Sequence, residues 1–310
     1  MEGEGERARR RVARRRAAGG VLCGAAPGCS VWRGRRRRRA ALLESAKRGD
    51  ACSVQSAVGA RRERWQARAV LEALWIAAVK GHDAVLRVLL DLGELAPDVN
   101  AWNQRQQWNA LTLAVSQDHE ACVRLLLERG ADVEFRFADG QTLLMKAAAE
   151  GREECVRLLL VHGAQANAAN ESGSGSTALL VAAARGQEGC ARLLLEHGAQ
   201  VEQRDANGFS ALQLAVIFGH VSLAQLLLQH RAQVDATDEA GCTALMSAAY
   251  CGMESCARLL LDYGADVNAT DHNSITALRL AQNEGHDTIA RLLLERGARL
   301  NPANDDANAP

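Results

Sequence analysis

The sequence lacks the marks of several protein classes. No uninterrupted apolar run approaches the ~20 residues that a membrane-spanning helix needs, which argues against membrane insertion. There is no zinc-protease helix or nucleophile elbow, and the run SGSGS at 172–176 is not followed by the Gly-Lys pair of a phosphate loop. We therefore predict no catalytic residues, no metal site, no cofactor and no enzyme activity.

A disulfide framework is also missing. The chain has nine cysteines in 310 residues, an odd number without the short, dense spacing of secreted disulfide-rich domains. Cysteine usage of this kind is typical of a reducing compartment. We therefore predict an intracellular protein of the cytoplasm, the nucleus or both.

The formal net charge of zero conceals two segments of opposite sign. Residues 1–39, here called the Arg-rich leader, hold 13 arginines against three glutamates, and the rest of the chain carries 24 basic and 34 acidic side chains. We predict that the leader is disordered. Its five-residue arginine run is a candidate nuclear-import signal, with nucleic-acid contact, anionic-membrane contact or simple solvation as alternatives. The run comprises Arg35, Arg36, Arg37, Arg38 and Arg39.

Glycines recur at a nearly fixed period in the rest of the chain. The spacing between them is 35 residues once and 33 residues three times, and it extends upstream with Asp118 and then Gly81 in the glycine position. The glycines are Gly151, Gly186, Gly219, Gly252 and Gly285. A fixed period in this range indicates a repeat protein, here with seven copies.

Each copy has the pattern of two short helices followed by a loop. In the third copy a threonine suited to helix capping precedes the first helix, which ends near Gly151. In the second helix Cys155, Leu158 and Leu159 share one face, and Gly163 is placed to cap the C-terminus. The polar segment that follows predicts an extended loop.

These features resemble the ankyrin repeat family, through stretches such as GFSALQLAVIFGH from Gly208 and LLLDYGADVNATD from Leu259. The resemblance covers residues 70–300, with 40–69 as a degenerate N-terminal capping repeat and 301–310 as a short tail. It implies a mostly α solenoid of stacked helix-turn-helix units with extended loop fingers. It also implies a non-enzymatic scaffold or adaptor that binds an unidentified protein through its concave face and fingers. The alternative is a nuclear regulator whose leader supplies import or nucleic-acid contact.

Four cysteines occupy one repeated position in the second helices. The equivalent position holds Val85, Leu223 and Ile289 in other copies, so we interpret it as a packed apolar position. Helices of neighbouring repeats lie about 8–10 Å apart, too far for the roughly 7 Å Cα separation of a disulfide. The cysteines are Cys122, Cys155, Cys190 and Cys256. Cys251, beside a turn glycine, is the candidate reactive thiol.

Two groups of residues are candidate partner contacts. Aromatic side chains are scarce, only 4 % of the chain, yet three of them fall at face or loop positions of two adjacent copies. This first group comprises Phe209, Ile217, Phe218, Tyr250 and Cys251. The alternative is that these side chains fill gaps between repeats.

The second group lies in an expanded loop and comprises Trp102, Arg105 and Trp108, because Trp and Arg are enriched at interface hot spots. The alternative is that the indoles fold back over the first repeats. Four charged residues at comparable variable positions are candidates for tuning specificity, namely Arg136, Glu150, Arg185 and Arg204.

Overall fold

The fold is described from a computed structural model, which covers residues 27–58, 64–93, 96–103 and 108–299. Sixteen helices lie within these residues. They are α1 (Pro27–Arg48), α2 (Ala51–Val58), α3 (Arg64–Lys80), α4 (Asp83–Leu90), α5 (Ala110–Ser116), α6 (Glu120–Glu128), α7 (Leu143–Ala149), α8 (Glu153–Val161), α9 (Ala178–Arg185), α10 (Glu188–Glu196), α11 (Ala211–Ile217), α12 (Val221–Gln229), α13 (Ala244–Cys251), α14 (Glu254–Asp262), α15 (Ala277–Asn283) and α16 (Asp287–Glu295).

The helices pair in chain order into eight helix-turn-helix units. We call α1 and α2 the capping unit, and α3 and α4 through α15 and α16 repeats 1 to 7. The first helix of each unit packs against the first helix of the next, and the second helices stack likewise. Buried leucine, alanine and valine side chains run continuously between the two helix layers as one core. The predicted mostly α solenoid is confirmed.

The first helices of repeats 2 to 7 begin at residues whose side chains cap them. In repeat 3 the hydroxyl of Thr142 accepts a hydrogen bond from the amide of Met145 (3.2 Å), and in repeat 2 Asn109 caps the amide of Thr112 (2.8 Å). Such caps satisfy one of the backbone donors that a helix start leaves unpaired. The predicted capping role of this position is confirmed, although no repeat carries a proline after it.

Gln213 lies three residues after Ser210, the residue that caps α11, and it shows how one repeat is joined to the next. Its side-chain oxygen accepts from the Ser210 amide (3.0 Å), while its side-chain nitrogen donates to the carbonyl of Cys242 in the following repeat (2.8 Å). The side chain is fully buried with both groups satisfied. A polar residue at this position therefore joins repeats 5 and 6.

The loops between repeats form narrow fingers closed by isolated β-bridges, for example between Arg204 and Ser210. In repeat 5 the carboxylate of Asp205 accepts from the amides of Asn207 and Phe209, both at 2.9 Å. Asp238 and Asp271 repeat the arrangement in repeats 6 and 7. One aspartate thus fixes the turn of each of these three fingers from within.

Two arginines predicted to tune specificity also contact the neighbouring finger. The guanidinium of Arg136 donates to the carbonyl of Ala169 (3.1 Å) and pairs with Glu171 (3.3 Å). Arg204 donates to the carbonyl of Thr237, one repeat further along. Sequence reasoning treated these side chains as free because their reach to the next finger is a tertiary contact.

The turns between the two helices of a unit interlock with the next unit. An added Cβ at Gly81 would lie 2.7 Å from the ring of His119, and one at Gly186 would lie 2.6 Å from His220. His119 Nε2 in turn lies 2.9 Å from the carbonyl oxygen of Val79. Gly49 and Gly252 receive His82 and His286 in the same way, so the recurrent glycine and histidine form one contact at four junctions. At two others, Gly151 and Gly219 receive Gln187 and Met253.

The junction between repeats 2 and 3 departs from this arrangement. Asp118 occupies the glycine position with a left-handed backbone (φ 59°), and Arg152 replaces the histidine. The Arg152 guanidinium lies 3.4 Å from the Asp118 carboxylate. An ion pair at the surface thus substitutes for the ring-on-glycine contact.

The Arg-rich leader differs in part from the expectation of disorder. Residues 1–26 lie outside the described residues, but the segment from Pro27 onward continues as helix α1. Arginine is a good helix former, and the C-terminal half of the helix is anchored by Leu42 and Ala46, which are buried in the core. The predicted tail at 301–310 also lies outside the described residues. No helix in the described part of the chain is long and apolar enough to cross a membrane.

Candidate functional site

The exposed sides of the first helices, together with the fingers, form a surface that we call the inner face. Phe218 directly follows α11 and Tyr250 lies in the last turn of α13, so both are near the C-terminal ends of adjacent first helices, and each is 55 % exposed. Ile217 directly precedes Phe218, Cys251 directly follows Tyr250, and both are half-buried. We call these four residues the inner-face patch.

Backbone hydrogen bonds and one neighbouring ring support Phe218 in the inner-face patch. Its first helix ends with the amide of Phe218 donating to the carbonyls of Leu214 and Val216. The Phe218 ring stacks on the imidazole of His220, with centroids 6.4 Å apart. The His220 imidazole therefore lies on one side of the Phe218 ring, and more than half of that side chain stays exposed to solvent.

Phe209 lies apart from this arrangement. Its amide and carbonyl are both bonded to Asp205, which places it at the base of the repeat 5 finger, where it is half-buried. No aromatic pair among the described residues includes it. Whether Phe209 contacts a partner remains a prediction.

The two tryptophans of the expanded loop take different positions. Trp108 is half-buried and packs edge-on against Trp75 of repeat 1, with ring centroids 4.7 Å apart. Trp102 is 48 % exposed and approaches Phe135 of the next finger at 6.5 Å. One indole folds back on the first repeat, while the other faces solvent. Arg105 lies outside the described residues.

A groove opens between repeats 2 and 3 that the sequence did not predict. It has a volume of about 500 Å³ and is bounded by α5, by the repeat 3 finger and by α7. Its main lining side chains are Trp108, Leu113, Phe137, Asp139, Lys146 and Glu150. The signal that could have revealed it is Phe137, which stands where the fingers of repeats 5 to 7 have aspartate.

The arginine run lies in α1. The side chains of Arg36, Arg37, Arg38 and Arg39 are exposed. Arg39 makes a forked contact with Glu72 of α3, at 2.6 Å for its shortest N–O distance, and so joins the capping unit to repeat 1. The other three make no ion pair with another described residue.

The buried cysteines have the environment of packed apolar residues. Burial raises the pKa of Cys122 and Cys155 to about 12 and that of Cys190 to about 11, so these thiols stay protonated at neutral pH. Burial also raises the pKa of Cys251, which is half-buried. Cys52 is instead the exposed thiol within the described residues. Cys251 is more exposed than Cys256, which is buried, and its role as the reactive thiol of the two remains a prediction.

Comparison with known families agrees with this architecture. A search of curated protein sequences gives no match. A model of ankyrin repeats in three copies matches four overlapping stretches, residues 42–136, 131–205, 201–271 and 238–304. Together these cover the last third of α1 and every later helix of the solenoid. Ankyrin repeats are in general modules for protein–protein interaction. The 33-residue period, the capped helix pairs and the family match lead to one conclusion, that the chain belongs to the ankyrin repeat family.

Proposed function

We propose that this chain is a non-enzymatic scaffold that binds a partner protein through the inner-face patch. The observation that carries the proposal is the exposure of Phe218 and Tyr250 on adjacent repeats, in a chain with only 4 % aromatic residues. Aromatic side chains are large, stiff and apolar, and they gain free energy when a partner removes them from water. Two such side chains on one rigid surface form a docking point.

Charged residues at the equivalent helix ends of repeats 4 and 7 flank the patch. Arg185 lies on one side along the solenoid and Glu284 on the other, and both are exposed. Neither has an ion-pair partner among the described residues. A matching partner would present an apolar ridge with an acidic group toward Arg185 and a basic group toward Glu284.

The nucleophilic and basic side chains support binding rather than chemistry. His82, His119 and His286 have a ring nitrogen 2.9–3.1 Å from a carbonyl oxygen of the preceding unit. The thiols at the repeated cysteine position are buried and protonated at neutral pH. These groups are used to join and fill the solenoid.

The proposal is tested by proximity labelling in cells with the intact chain and with the double variant Phe218→Ala/Tyr250→Ala. We expect the variant to lose at least one strongly enriched protein while its thermal unfolding temperature is unchanged, because both side chains are mostly exposed. The matched control is Val161→Ala/Tyr263→Ala, which removes exposed apolar side chains, 64 % and 42 % exposed, from the ends of second helices. If both variants retain every partner of the wild type, the inner-face patch is not the binding site.

The nuclear regulator remains a second candidate because three arginines of α1 are exposed and unpaired within the described residues. We expect a fluorescent fusion carrying Arg36→Gln, Arg37→Gln and Arg38→Gln to lose nuclear enrichment, with Arg39 left in place to keep its contact with Glu72. An equal nuclear fraction for variant and wild type would remove the targeting role.

A further inference from the structure

We propose that the groove between repeats 2 and 3 is a second docking site, and that it binds an extended protein segment with a bulky apolar side chain next to a basic one. The inference rests on the proposed function of the chain as a protein-binding module. It adds a location separate from the inner-face patch, and it specifies the chemistry of the bound segment.

The groove has a structural cause. Helices α5 and α7 pack together less closely than any other neighbouring pair of first helices in the described residues, whereas α6 and α8 behind them pack as closely as other second helices. The two repeats therefore separate on the inner face alone. This is also the junction where Asp118 and Arg152 replace the glycine and histidine contact. Its volume of about 500 Å³ lies within the ~300–1,000 Å³ of typical binding pockets.

The walls of the groove are apolar and held in place. Trp108 is fixed from one side by the edge-on ring of Trp75. Phe137 is fixed by the edge-on ring of Phe135, at 5.2 Å, and by the ammonium group of Lys146, which lies 4.6 Å from its ring centroid. Rings that are ordered before binding lose little conformational entropy when a partner side chain enters between them.

The finger of repeat 3 lacks a stabilising feature that the fingers of repeats 5 to 7 have. In repeats 5 to 7 an aspartate accepts two backbone amides, but Phe137 at this position accepts none through its side chain. Asp139, two residues later, accepts one amide, that of Gln141 (3.1 Å). A local rule of the fold is thus broken where an aromatic ring is presented to the groove, as is common at functional positions.

The charges of the groove favour a basic ligand. Lys146 is already neutralised, because its ammonium nitrogen lies 2.9 Å from the Asp139 carboxylate. Glu150 is 45 % exposed, and its nearest cation is Arg152 at 3.7 Å, which also pairs with Asp118. The remaining acceptor capacity therefore belongs to the Glu150 carboxylate, which we assign to a lysine or arginine of the bound segment.

The test is a selection from a phage-displayed library of random dodecapeptides on the immobilised full chain, followed by affinity measurement with the enriched peptides. We expect these peptides to share an aromatic or large aliphatic residue adjacent to Lys or Arg. The variant Phe137→Asp should weaken their binding at least about tenfold. It is expected to fold, because aspartate is the residue that the other fingers use.

A charge reversal provides a second readout. We expect Glu150→Lys to weaken the same peptides at least about tenfold and to select acidic ones instead, since the exposed side chain does not affect the core. The control Phe218→Ala/Tyr250→Ala should bind the peptides as tightly as the wild type. The proposal is overturned if no peptide is enriched, if Phe137→Asp binds them equally, or if the basic residue is absent. The loss or retention of cellular partners by Phe218→Ala/Tyr250→Ala tests the proposed function of the inner-face patch and does not test the groove.

Discussion

Arg231 occupies a backbone position that the other described repeats with a comparable second-helix end give to glycine. Its φ is 66°, beside 80° to 94° for Gly130, Gly163, Gly198 and Gly264. A left-handed backbone costs an ordinary L-residue about 1–2 kcal/mol. Its side chain makes no hydrogen bond or ion pair with another described residue that would offset this strain.

We predict that Arg231→Gly raises the free energy of unfolding by about 0.5–1 kcal/mol, the strain relieved less the greater backbone entropy of glycine in the unfolded chain. The denaturation midpoint in urea measures it. The matched control is Gly198→Arg, which should lower the midpoint by a similar amount, because a Cβ there meets no atom within 4 Å and only the backbone is tested. A midpoint that falls in Arg231→Gly contradicts the strain argument.

Cys155 is fully buried, and its thiol lies 3.5 Å from a carboxylate oxygen of Asp118. We predict that Cys155→Val costs under about 1.5 kcal/mol, since valine fills a similar apolar volume. Cys155→Asp should cost about 3–5 kcal/mol, because it buries an unpaired charge beside a second carboxylate. Thermal unfolding of both variants, with the exposed Cys52→Asp as control, measures these two costs. Equal stability of the two Cys155 variants would contradict the packing interpretation.

The buried thiols also make stability depend on pH on the alkaline side. Their pKa, about 12 for Cys122 and Cys155 in the folded protein, lies above the ordinary value of 9.0, so the unfolded chain loses these protons first. The stabilisation is complete below pH ~9 and is lost as pH rises toward 12. We predict that Cys122→Val/Cys155→Val flattens the fall in urea midpoint between pH 8.5 and 10.5. A slope identical to that of the wild type would contradict the burial of these thiols.

At the scale of elements, Asp118 and Arg152 at the junction of repeats 2 and 3 replace the glycine and the histidine together, and we expect their effects on stability to be coupled. We predict that Arg152→His alone is destabilising by about 1–3 kcal/mol, because the Cβ of Asp118 occupies the space that other junctions leave for a histidine ring. Asp118→Gly with Arg152→His should recover most of that loss. A double-mutant cycle from urea midpoints measures the coupling. Additive single effects would show that the two positions are independent.

The sequence predicts the helices and their caps well, and it predicts the distances between helices of neighbouring repeats poorly. The period of the glycines, the capping Thr142 and the apolar position of Cys155 each depend on local geometry, and each was recovered. The groove depends on how far α5 lies from α7, which no single repeat encodes. Phe137 is visible as a departure from the other fingers only when repeats are aligned, and the braces of Arg136 and Arg204 depend on the position of a neighbouring carbonyl.

At the scale of the whole molecule, a solenoid is stabilised by its nearest-neighbour interfaces, so its weakest junction sets where it opens. We predict from the loose packing of α5 on α7 that amide hydrogen exchange divides the array there. The helices from α1 to α6 should exchange as one group and those from α7 to α16 as another. Exchange with a single protection level across Asp118 would contradict this division.

The interlock of turns also determines how far the repeats are interchangeable. Repeats 4 to 7 each follow a repeat whose turn contains the recurrent glycine. One of them can therefore be exchanged for another, because the turn that it packs against is the same. If repeat 3 followed a repeat with glycine in its turn, Arg152 would lose its ion-pair partner Asp118. Repeat 2 likewise cannot be followed by a repeat with histidine at the position of Arg152. Any rearrangement of this array, by recombination or by engineering, must therefore move repeats 2 and 3 as a single block, and the groove moves with them.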